Sequence, residues 1–353
     1  MFPGRQGSAS ARPFLYILTS AALFGISVPV AKLLVADIEP VALAGLLYAG
    51  AFIGLATFRA VSRAKGKERL GGPIVRSDIP YLAGAVASGG IAAPILMLTG
   101  LTMVSGFASS LFLNLEGIAT AVIALVVFRE QVGKRTWAAL AAMTAGGALL
   151  TLGPMGGASP LGAALIVLSM ACWGLDNNLT SRISGKDPSQ IAMLKGLVAG
   201  SVSLASAALL GQLSGLGAEV LAALLLGALS YGVSLVLFIF ALDKLGSSRT
   251  GAFYSFGPFV GAAVSIPLLG EAVSIGMLPA AALMALGTYL LVTEKHSHRH
   301  RHERVVHAHR HSEDEHHHHH ETPEAGTHLH EHVHEAFEHN HSHYPDSHHR
   351  HRH

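Results

Sequence analysis

The stretch Trp173-Gly174-Leu175-Asp176-Asn177-Asn178-Leu179-Thr180 decides how this chain is interpreted. It lies within an otherwise apolar segment, 160–183, which is long enough to cross a bilayer as a helix. A carboxylate near the centre of a spanning helix costs about 2.5–3.5 kcal/mol on insertion scales. Such groups usually face a bundle interior or a water-filled cavity, where they find polar partners. The stretch therefore predicts one wall of a polar path through a membrane protein with many helices.

Composition also favours a membrane protein. Of the 353 residues, 50% are hydrophobic and 13% are charged, although the last fifth of the chain is very polar. Without that tail, the chain is too apolar for an ordinary soluble domain. The net charge of +2 gives no reason to expect a nucleic-acid partner, and the single cysteine, Cys172, excludes an intrachain disulfide.

Ten apolar segments recur along the chain, and each is long enough to span a membrane. Their approximate bounds are 13–34, 41–60, 79–100, 105–128, 134–153, 160–183, 188–210, 218–242, 250–270 and 275–293. The first is too long for the apolar region of a signal peptide, so it is interpreted as the first spanning helix. The sequence thus predicts an all-α integral membrane protein.

The distribution of Lys and Arg predicts the orientation. The N-terminus and the links on the same side carry fifteen of these residues, whereas the links on the other side carry none (35–40, 101–104, 154–159, 211–217 and 271–274). Positively charged links stay in the cytoplasm. We therefore expect a multi-pass protein of the cytoplasmic (inner) membrane with both termini in the cytoplasm.

The spanning region also repeats itself. Glu130 ends the fourth segment and Glu271 ends the ninth, 141 positions later, and the same offset pairs Phe112 with Phe253. Because five is odd, two halves of five spans must have opposite orientations. Inverted repeats are typical of secondary transporters, with the site between the repeats near mid-membrane. The predicted division is an N-terminus (1–12), two five-helix repeats (13–153 and 160–293) and a C-terminal tail (294–353).

Several motifs resemble one family. Phe-Leu-Asn-Leu-Glu-Gly (112–117), Phe-Arg-Glu (128–130), Cys-Trp-Gly-Leu-Asp-Asn-Asn-Leu-Thr (172–180) and Arg-Thr-Gly-Ala-Phe-Tyr-Ser-Phe-Gly-Pro (249–258) resemble EamA-type members of the drug/metabolite transporter superfamily. The resemblance covers residues 13–293. It implies movement of small metabolites such as amino acids by alternating access, without identifying the substrate. The family's proline in the fourth and ninth helices appears here once, as Pro258, with Glu116-Gly117 at the equivalent place in the first half.

Asp176 and Lys195 are predicted to pair. Asp176 lies seven residues before the end of its segment, and Lys195 lies seven residues after the start of the next. At about 1.5 Å per residue, both are about 10–12 Å from the same membrane surface on antiparallel helices. Two interpretations stay open: a structural ion pair that lets both charges tolerate the membrane, or a gate that opens when a proton or solute reaches Asp176. Asn177 and Asn178 continue the same polar wall.

Glu116 is the leading candidate for proton coupling or cation binding, because it is close to the middle of its segment. The alternative is a structural hydrogen bond to backbone. Asn114, two residues away, points elsewhere on a helix. In the other half, Gly257-Pro258 is expected to interrupt the ninth helix and free carbonyls at the same depth, although a packing kink is the alternative. Trp173, Tyr231 and Tyr254 are expected to flank the cavity or to pack.

The tail holds all 23 histidines, many in His-x-His steps. Its mixed charge and lack of large apolar residues predict a disordered cytoplasmic segment. Neutral imidazole binds Zn, Ni, Cu and Co, so we expect weak binding of these metals by many interchangeable sets of histidine ligands. The candidate ligands are His296, His298, His300, His302, His316, His317, His318, His319, His320, His328, His330, His332 and His334.

These observations favour a secondary transporter of a small organic solute, coupled to protons through Glu116 or Asp176. Two alternatives are a divalent-metal transporter served by the tail, and a membrane-anchored metal buffer or sensor. The sequence contains no nucleotide-binding loop and no nucleophile with a partner base, so neither an ATP-driven pump nor a hydrolase is predicted. We expect no required cofactor. The predicted partners are the lipid bilayer, a small solute and, at the tail, divalent metal ions, with a monomer and a homodimer both left open.

Overall fold

A computed structural model describes two compact units of the chain, one helical and one in the C-terminal tail. In the helical unit it describes residues 12–64, 72–128, 134–152, 159–183, 186–238, 240–241, 253–272 and 274–293. In the tail it describes residues 296–302, 305–311, 328–334 and 337–343.

The helices follow the predicted segments closely. The first half contains α1 (Arg12–Leu34), α2 (Pro40–Ala64), a 3₁₀ turn (Arg76–Asp78), α3 (Ile79–Ala85), a first π segment (Val86–Ala92), α4 (Ala93–Met103), α5 (Gly106–Phe112), α6 (Leu115–Phe128) and α7 (Lys134–Leu152). The second half contains α8 (Pro160–Ser181), α9 (Pro188–Leu209), α10 (Glu219–Leu226), a second π segment (Gly227–Val233), α11 (Gly257–Leu269), a 3₁₀ turn (Ile275–Met277) and α12 (Leu278–Val292).

Seven helical stretches in the described residues are long and apolar enough to cross a membrane. They match the first four and the sixth, seventh and eighth predicted spans. The ninth and tenth appear as shorter apolar helices, Gly257–Leu269 and Ile275–Leu290, and the fifth corresponds to α7. An all-α membrane fold is therefore confirmed, and the count of ten spans is confirmed in part.

Local sequence explains where several helices begin. Prolines occupy the first turns of α8 and α9, where a missing N–H costs nothing. Ser159 accepts a hydrogen bond from the Gly162 N–H, and Asp187 accepts from the Ser189 and Gln190 N–H groups. These side chains satisfy donors that have no partner inside the helix.

Both halves contain matching interruptions. The turn at Leu113 and Asn114 separates α5 from α6, and the turn at Ser255 and Phe256 precedes α11. The break before Gly257-Pro258 was predicted, whereas the turn inside the fourth span, at Leu113 and Asn114, was not. The two π segments are 141 positions apart, the offset found in the sequence. Helices with five-residue hydrogen-bond spacing often occur at functional sites.

Small residues allow several helices to cross at very short distances. A Cβ added to Gly25 in α1 would lie 2.1 Å from the carbonyl oxygen of Gly257 in α11. One added to Gly50 in α2 would lie 2.1 Å from the Leu224 carbonyl oxygen in α10. Such contacts between backbones are the usual way in which helices associate in membranes. They place α1 against α11 and α2 against α10 around the centre of the bundle.

The described residues of the tail form two short antiparallel ladders. Strand β1 (His296–His302) pairs antiparallel with β4 (Phe337–His343), and β2 (Val305–His311) pairs antiparallel with β3 (His328–His334). The alternation of His with other residues in these segments has the two-residue period of a strand. The run His316–His320 lies outside the described residues.

Candidate functional site

Asp176 and Lys195 form the predicted ion pair. Lys195 Nζ lies 2.5 Å from Asp176 Oδ2, and Thr180 Oγ1 donates to Asp176 Oδ1 at 3.0 Å. Asp176 is buried, with 6% of its surface exposed. Gly89 of the first π segment packs directly against the carboxylate, because an added Cβ would lie 1.9 Å from Oδ2. The pair therefore joins α8 to α9 beneath an irregular helical turn.

Glu116 has a side-chain partner on the neighbouring helix α8. Asn177 Nδ2 donates to Glu116 Oε1 at 2.8 Å and to Thr120 Oγ1 at 3.2 Å. Glu116 is partly exposed and Asn177 is exposed, although both lie within helices long enough to span. Asp176 and Lys195 are within electrostatic range of Glu116. Two carboxylates and one ammonium thus share the α6–α8–α9 junction.

Asn178 and Asn114 hold helices together and are not brought to the Glu116 carboxylate. Asn178 Nδ2 donates to the Thr120 and Gly174 carbonyl oxygens, at 3.0 and 2.8 Å. Asn114 lies in the turn between α5 and α6. Its Nδ2 donates to the Leu111 carbonyl oxygen at 2.9 Å, and its Oδ1 accepts from Thr288 Oγ1 in α12 at 3.0 Å.

Two aromatic donors converge on the first π segment. The Gly89 carbonyl oxygen accepts from Trp173 Nε1 at 3.0 Å and from the Tyr48 hydroxyl at 2.8 Å. Tyr48 was not a sequence candidate. The Gly89-Gly90 pair was the available signal, because adjacent glycines weaken a helix and let side chains reach its carbonyls.

The other aromatics form a cluster that joins the first half to the second. The ring of Tyr231 lies 5.7 Å from that of Tyr48, and the ring of Tyr254 lies 5.5 Å from that of Phe24 and 5.0 Å from that of Phe238. Pro258 is buried at the start of α11. Tyr254 therefore packs beside the break in the ninth span, at the position where Leu113 stands in the first half.

A narrow, mostly apolar cavity lies between α1 and α4. Its walls are one face of each helix together with three side chains from other elements: Phe24, Ser27, Val28 and Ala31 from α1, Pro94, Met97, Leu98 and Leu101 from α4, and Leu113, Trp173 and Tyr231. Residues three positions apart lie on the same helix face. Trp173 stands three positions before Asp176 in α8, so Asp176 lies one turn beyond the cavity wall. Leu113 stands three positions before Glu116, in the turn that leads into α6.

A second polar cluster lies at the end of the bundle where α9 begins. Arg59 Nη1 lies 3.0 Å from Asp187 Oδ2, and Ser189 Oγ donates to Asp187 Oδ1 at 2.6 Å. Lys186 Nζ lies 3.2 Å from Asp78 Oδ2. Burial would raise the pKa of Asp187, but hydrogen bonds from Ser189 and the charge of Arg59 hold it below its ordinary value. These contacts tie together the connectors that precede α3 and α9.

Comparison with known proteins assigns the fold to a family. The model of the EamA-like transporter family matches residues 12–152 and 160–293, which is most of the chain. The chain belongs to the EamA-like transporter family. This EamA-like protein is therefore a multi-pass membrane protein and a membrane transporter, which agrees with the resemblance seen in the sequence.

A curated relative and a solved structure agree with that assignment. A protein named "Uncharacterized transporter" from Methanothermobacter thermautotrophicus is 28% identical over 295 residues, covering 79% of this chain and 85% of that protein. A protein of known crystal structure is 19% identical, with a TM-score of 0.57, and the match covers 81% of this chain and 99% of the other. The second likeness concerns the fold alone.

The described part of this EamA-like transporter contains no group of three or more His, Cys, Asp or Glu side chains arranged to hold a metal ion. Within its helices, the groups available to a solute or a proton are the Asp176–Lys195 pair, Glu116 with Asn177, and the aromatic wall around Trp173 and Tyr231.

Proposed function

We propose that this protein is a secondary active transporter that moves a small organic solute by alternating access and is coupled to protons through Glu116 or Asp176. The supporting observation is the position of these acids, each three residues beyond a wall residue of the cavity between α1 and α4. A carboxylate inside a spanning bundle marks a solute or ion path by default, because it is expensive to keep there.

The aromatic and apolar cavity wall supports an organic solute over a bare ion. Trp173, Phe24, Tyr231 and Leu98 supply dispersion contacts that a hydrated cation cannot use. The Asp176–Lys195 pair adds one positive and one negative group within a turn of that wall. A solute reaching Asp176 would compete with Lys195 for the carboxylate, which gives the pair a role as a gate.

A membrane orientation follows from the charge distribution. The fifteen Lys and Arg residues in one set of links favour the cytoplasm for the end of the bundle that holds Arg59 and Asp187. The opposite end, which holds Lys32 and Glu271, would face away from the cytoplasm. Both termini would then be cytoplasmic.

The tail would bind divalent metals and regulate the transporter. In the two ladders, His298 pairs with His341, His300 with His339, and His309 with His330. The register therefore pairs histidine with histidine at several positions of each ladder. Imidazole suits Zn, Ni, Cu and Co. The same observation favours the second candidate function, a divalent-metal transporter or sensor.

Metabolite and metal contents of cells separate the two candidates. Cells that lack the protein are compared with cells that overproduce wild type, Glu116→Gln or Asp176→Asn. The proposed function requires a small organic solute whose content changes with wild type and does not change with at least one of the two variants, while metal contents stay constant. A change confined to Ni, Zn, Co or Cu would support the second candidate instead. If no solute responds, or if both variants act like wild type, the proposal is wrong.

A further inference from the structure

Glu271, from the second repeat, binds the N-terminus of α5 in the first repeat. Its Oε1 accepts a hydrogen bond from the Gly106 N–H at 2.6 Å, and its Oε2 accepts from the Phe107 N–H at 2.8 Å. Gly106 and Phe107 open α5, so their N–H groups have no partner inside the helix. A carboxylate there also complements the positive end of the helix dipole. One side chain thus holds α5 against the end of α11.

The contact is close because α5 begins with glycine. A Cβ at Gly106 would lie 2.4 Å from Leu269 Cδ1 and 3.0 Å from Ser265 Oγ, both in α11. The helix start therefore rests directly on the last turn of α11. Gly270, with a φ of 63°, ends α11 in the left-handed conformation and brings Glu271 into position.

Lys32 makes a corresponding contact between α1 and α4, the two helices that line the cavity. It lies in the last turn of α1, and its ammonium donates to the Leu101 carbonyl oxygen near the end of α4. Leu101 and Ala31, the neighbour of Lys32, both line the cavity. Lys32 and Glu271 are also within electrostatic range of each other. The Lys32 contact therefore adjoins the cavity, and the Glu271 contact lies within electrostatic range of it, at the end of the bundle where α1, α4 and α11 end and α5 begins.

We propose that Glu271 and Lys32 form a latch that closes this end of the solute path, and that the path opens here when Glu271 releases the start of α5. Both ties are made by charged side chains to backbone groups, which water can replace once the helices separate. The latch deepens the proposed function, since it gives alternating access a defined closing contact at this end. Its test needs no solute and therefore fails or succeeds separately from the metabolite comparison.

Accessibility of a cavity residue measures the latch. In a Cys172→Ala background, which removes the only cysteine, Ala31→Cys places a thiol on the cavity wall. A membrane-impermeant maleimide is added to intact cells and, separately, to inside-out vesicles. Hydrogen bonds to an ionised group are each worth about 1.5–3 kcal/mol, so Glu271→Gln should raise the labelling rate about tenfold or more. The increase is expected only from the side that holds Lys32 and Glu271.

Glu219→Gln is the matched control, because Glu219 also accepts a backbone hydrogen bond near a helix start, from Gly217, and that hydrogen bond is exposed. It should leave labelling of Ala31→Cys unchanged. A second thiol, Ala139→Cys in the fully buried core of α7, reports general loosening and should stay protected.

Three outcomes overturn the latch: unchanged labelling in Glu271→Gln, the same increase in Glu219→Gln, or a parallel increase at Ala139→Cys. Should Glu271→Gln fail to fold, Lys32→Met removes the other tie while keeping an apolar stem. Faster labelling of Ala31→Cys in that variant supports the latch, and an unchanged rate contradicts it.

Discussion

Lys195 Nζ lies 2.5 Å from Asp176 Oδ2, and the two side chains join the antiparallel helices α8 and α9 inside the bundle. Removing one member of a buried pair leaves a charge with no partner and costs about 3–5 kcal/mol. We therefore expect Asp176→Asn and Lys195→Met each to lower the melting temperature in detergent strongly. The double variant should recover much of that stability, because no charge is left unpaired.

The double variant also separates structure from transport. If the pair is a gate, Asp176→Asn with Lys195→Met should be stable and inactive in the metabolite comparison. The somewhat more exposed pair Asp78–Lys186 provides the control, since breaking it should cost less than breaking the Asp176–Lys195 pair. A double variant that transports like wild type would show that the pair serves stability alone.

Hydropathy and the 141-residue offset predicted most of the fold, because both can be read directly from the sequence. Counting residues from the segment ends also placed Asp176 and Lys195 at one depth. It could not give the angular position of a side chain around its helix, which depends on helix packing. For that reason the Glu116–Asn177 hydrogen bond was missed. The π segments were missed too, since the donors to Gly89 come from Tyr48 and Trp173, far away in the chain.

The crossing of α1 and α11 makes a sharp prediction for glycine substitutions. At Gly25 a Cβ would lie 2.1 Å from a backbone oxygen, so Gly25→Ala must force the helices apart. At Gly232, in the second π segment, the nearest atom would be 3.6 Å away, which is ordinary contact. Small residues at a membrane helix interface permit such close approach. Gly25→Ala should therefore lower the melting temperature and solute transport, whereas Gly232→Ala should preserve both.

Those two variants are informative only as a pair. Alanine is the better helix former by about 1 kcal/mol in water, so any loss in Gly25→Ala acts against that preference. Equal melting temperatures for the two variants would mean that the α1–α11 crossing relaxes without cost.

The lowered pKa of Asp187 predicts how the free energy of unfolding depends on pH. Its pKa is held below the ordinary value, so the folded protein gains stability from the ionised form above about pH 4. That gain is lost as pH falls through the depressed pKa of the folded state. Asp187→Asn should thus be less stable than wild type by about 1–3 kcal/mol at neutral pH. The difference should vanish in strong acid.

Thermal unfolding in detergent across the acid range measures this difference. The exposed residue Asp37 gives the control, and Asp37→Asn should follow wild type at every pH. A constant gap between Asp187→Asn and wild type at all pH values would mean that the charge of Asp187 contributes nothing and that the loss is steric.

The register of the tail predicts which histidines bind metal together. In the β1–β4 ladder, His298 faces His341 and His300 faces His339, while the positions between them pair Ser297 with Ser342 and Arg299 with Asn340. Metal binding requires neutral imidazole, so it should weaken as the solution is acidified. Titration of the full-length protein with Ni²⁺ should show fewer bound ions when the four histidines become Gln. Changing the four intervening residues to Gln should leave the number unchanged. If both variants bind like wild type, the ladder gathers no metal, and if both lose binding equally, the tail binds without regard to register.

Deleting residues 296–353 should abolish Ni²⁺ binding while solute transport continues, since the acids and the cavity lie within the helices. Loss of solute transport in the deletion would instead make the tail part of the transport cycle.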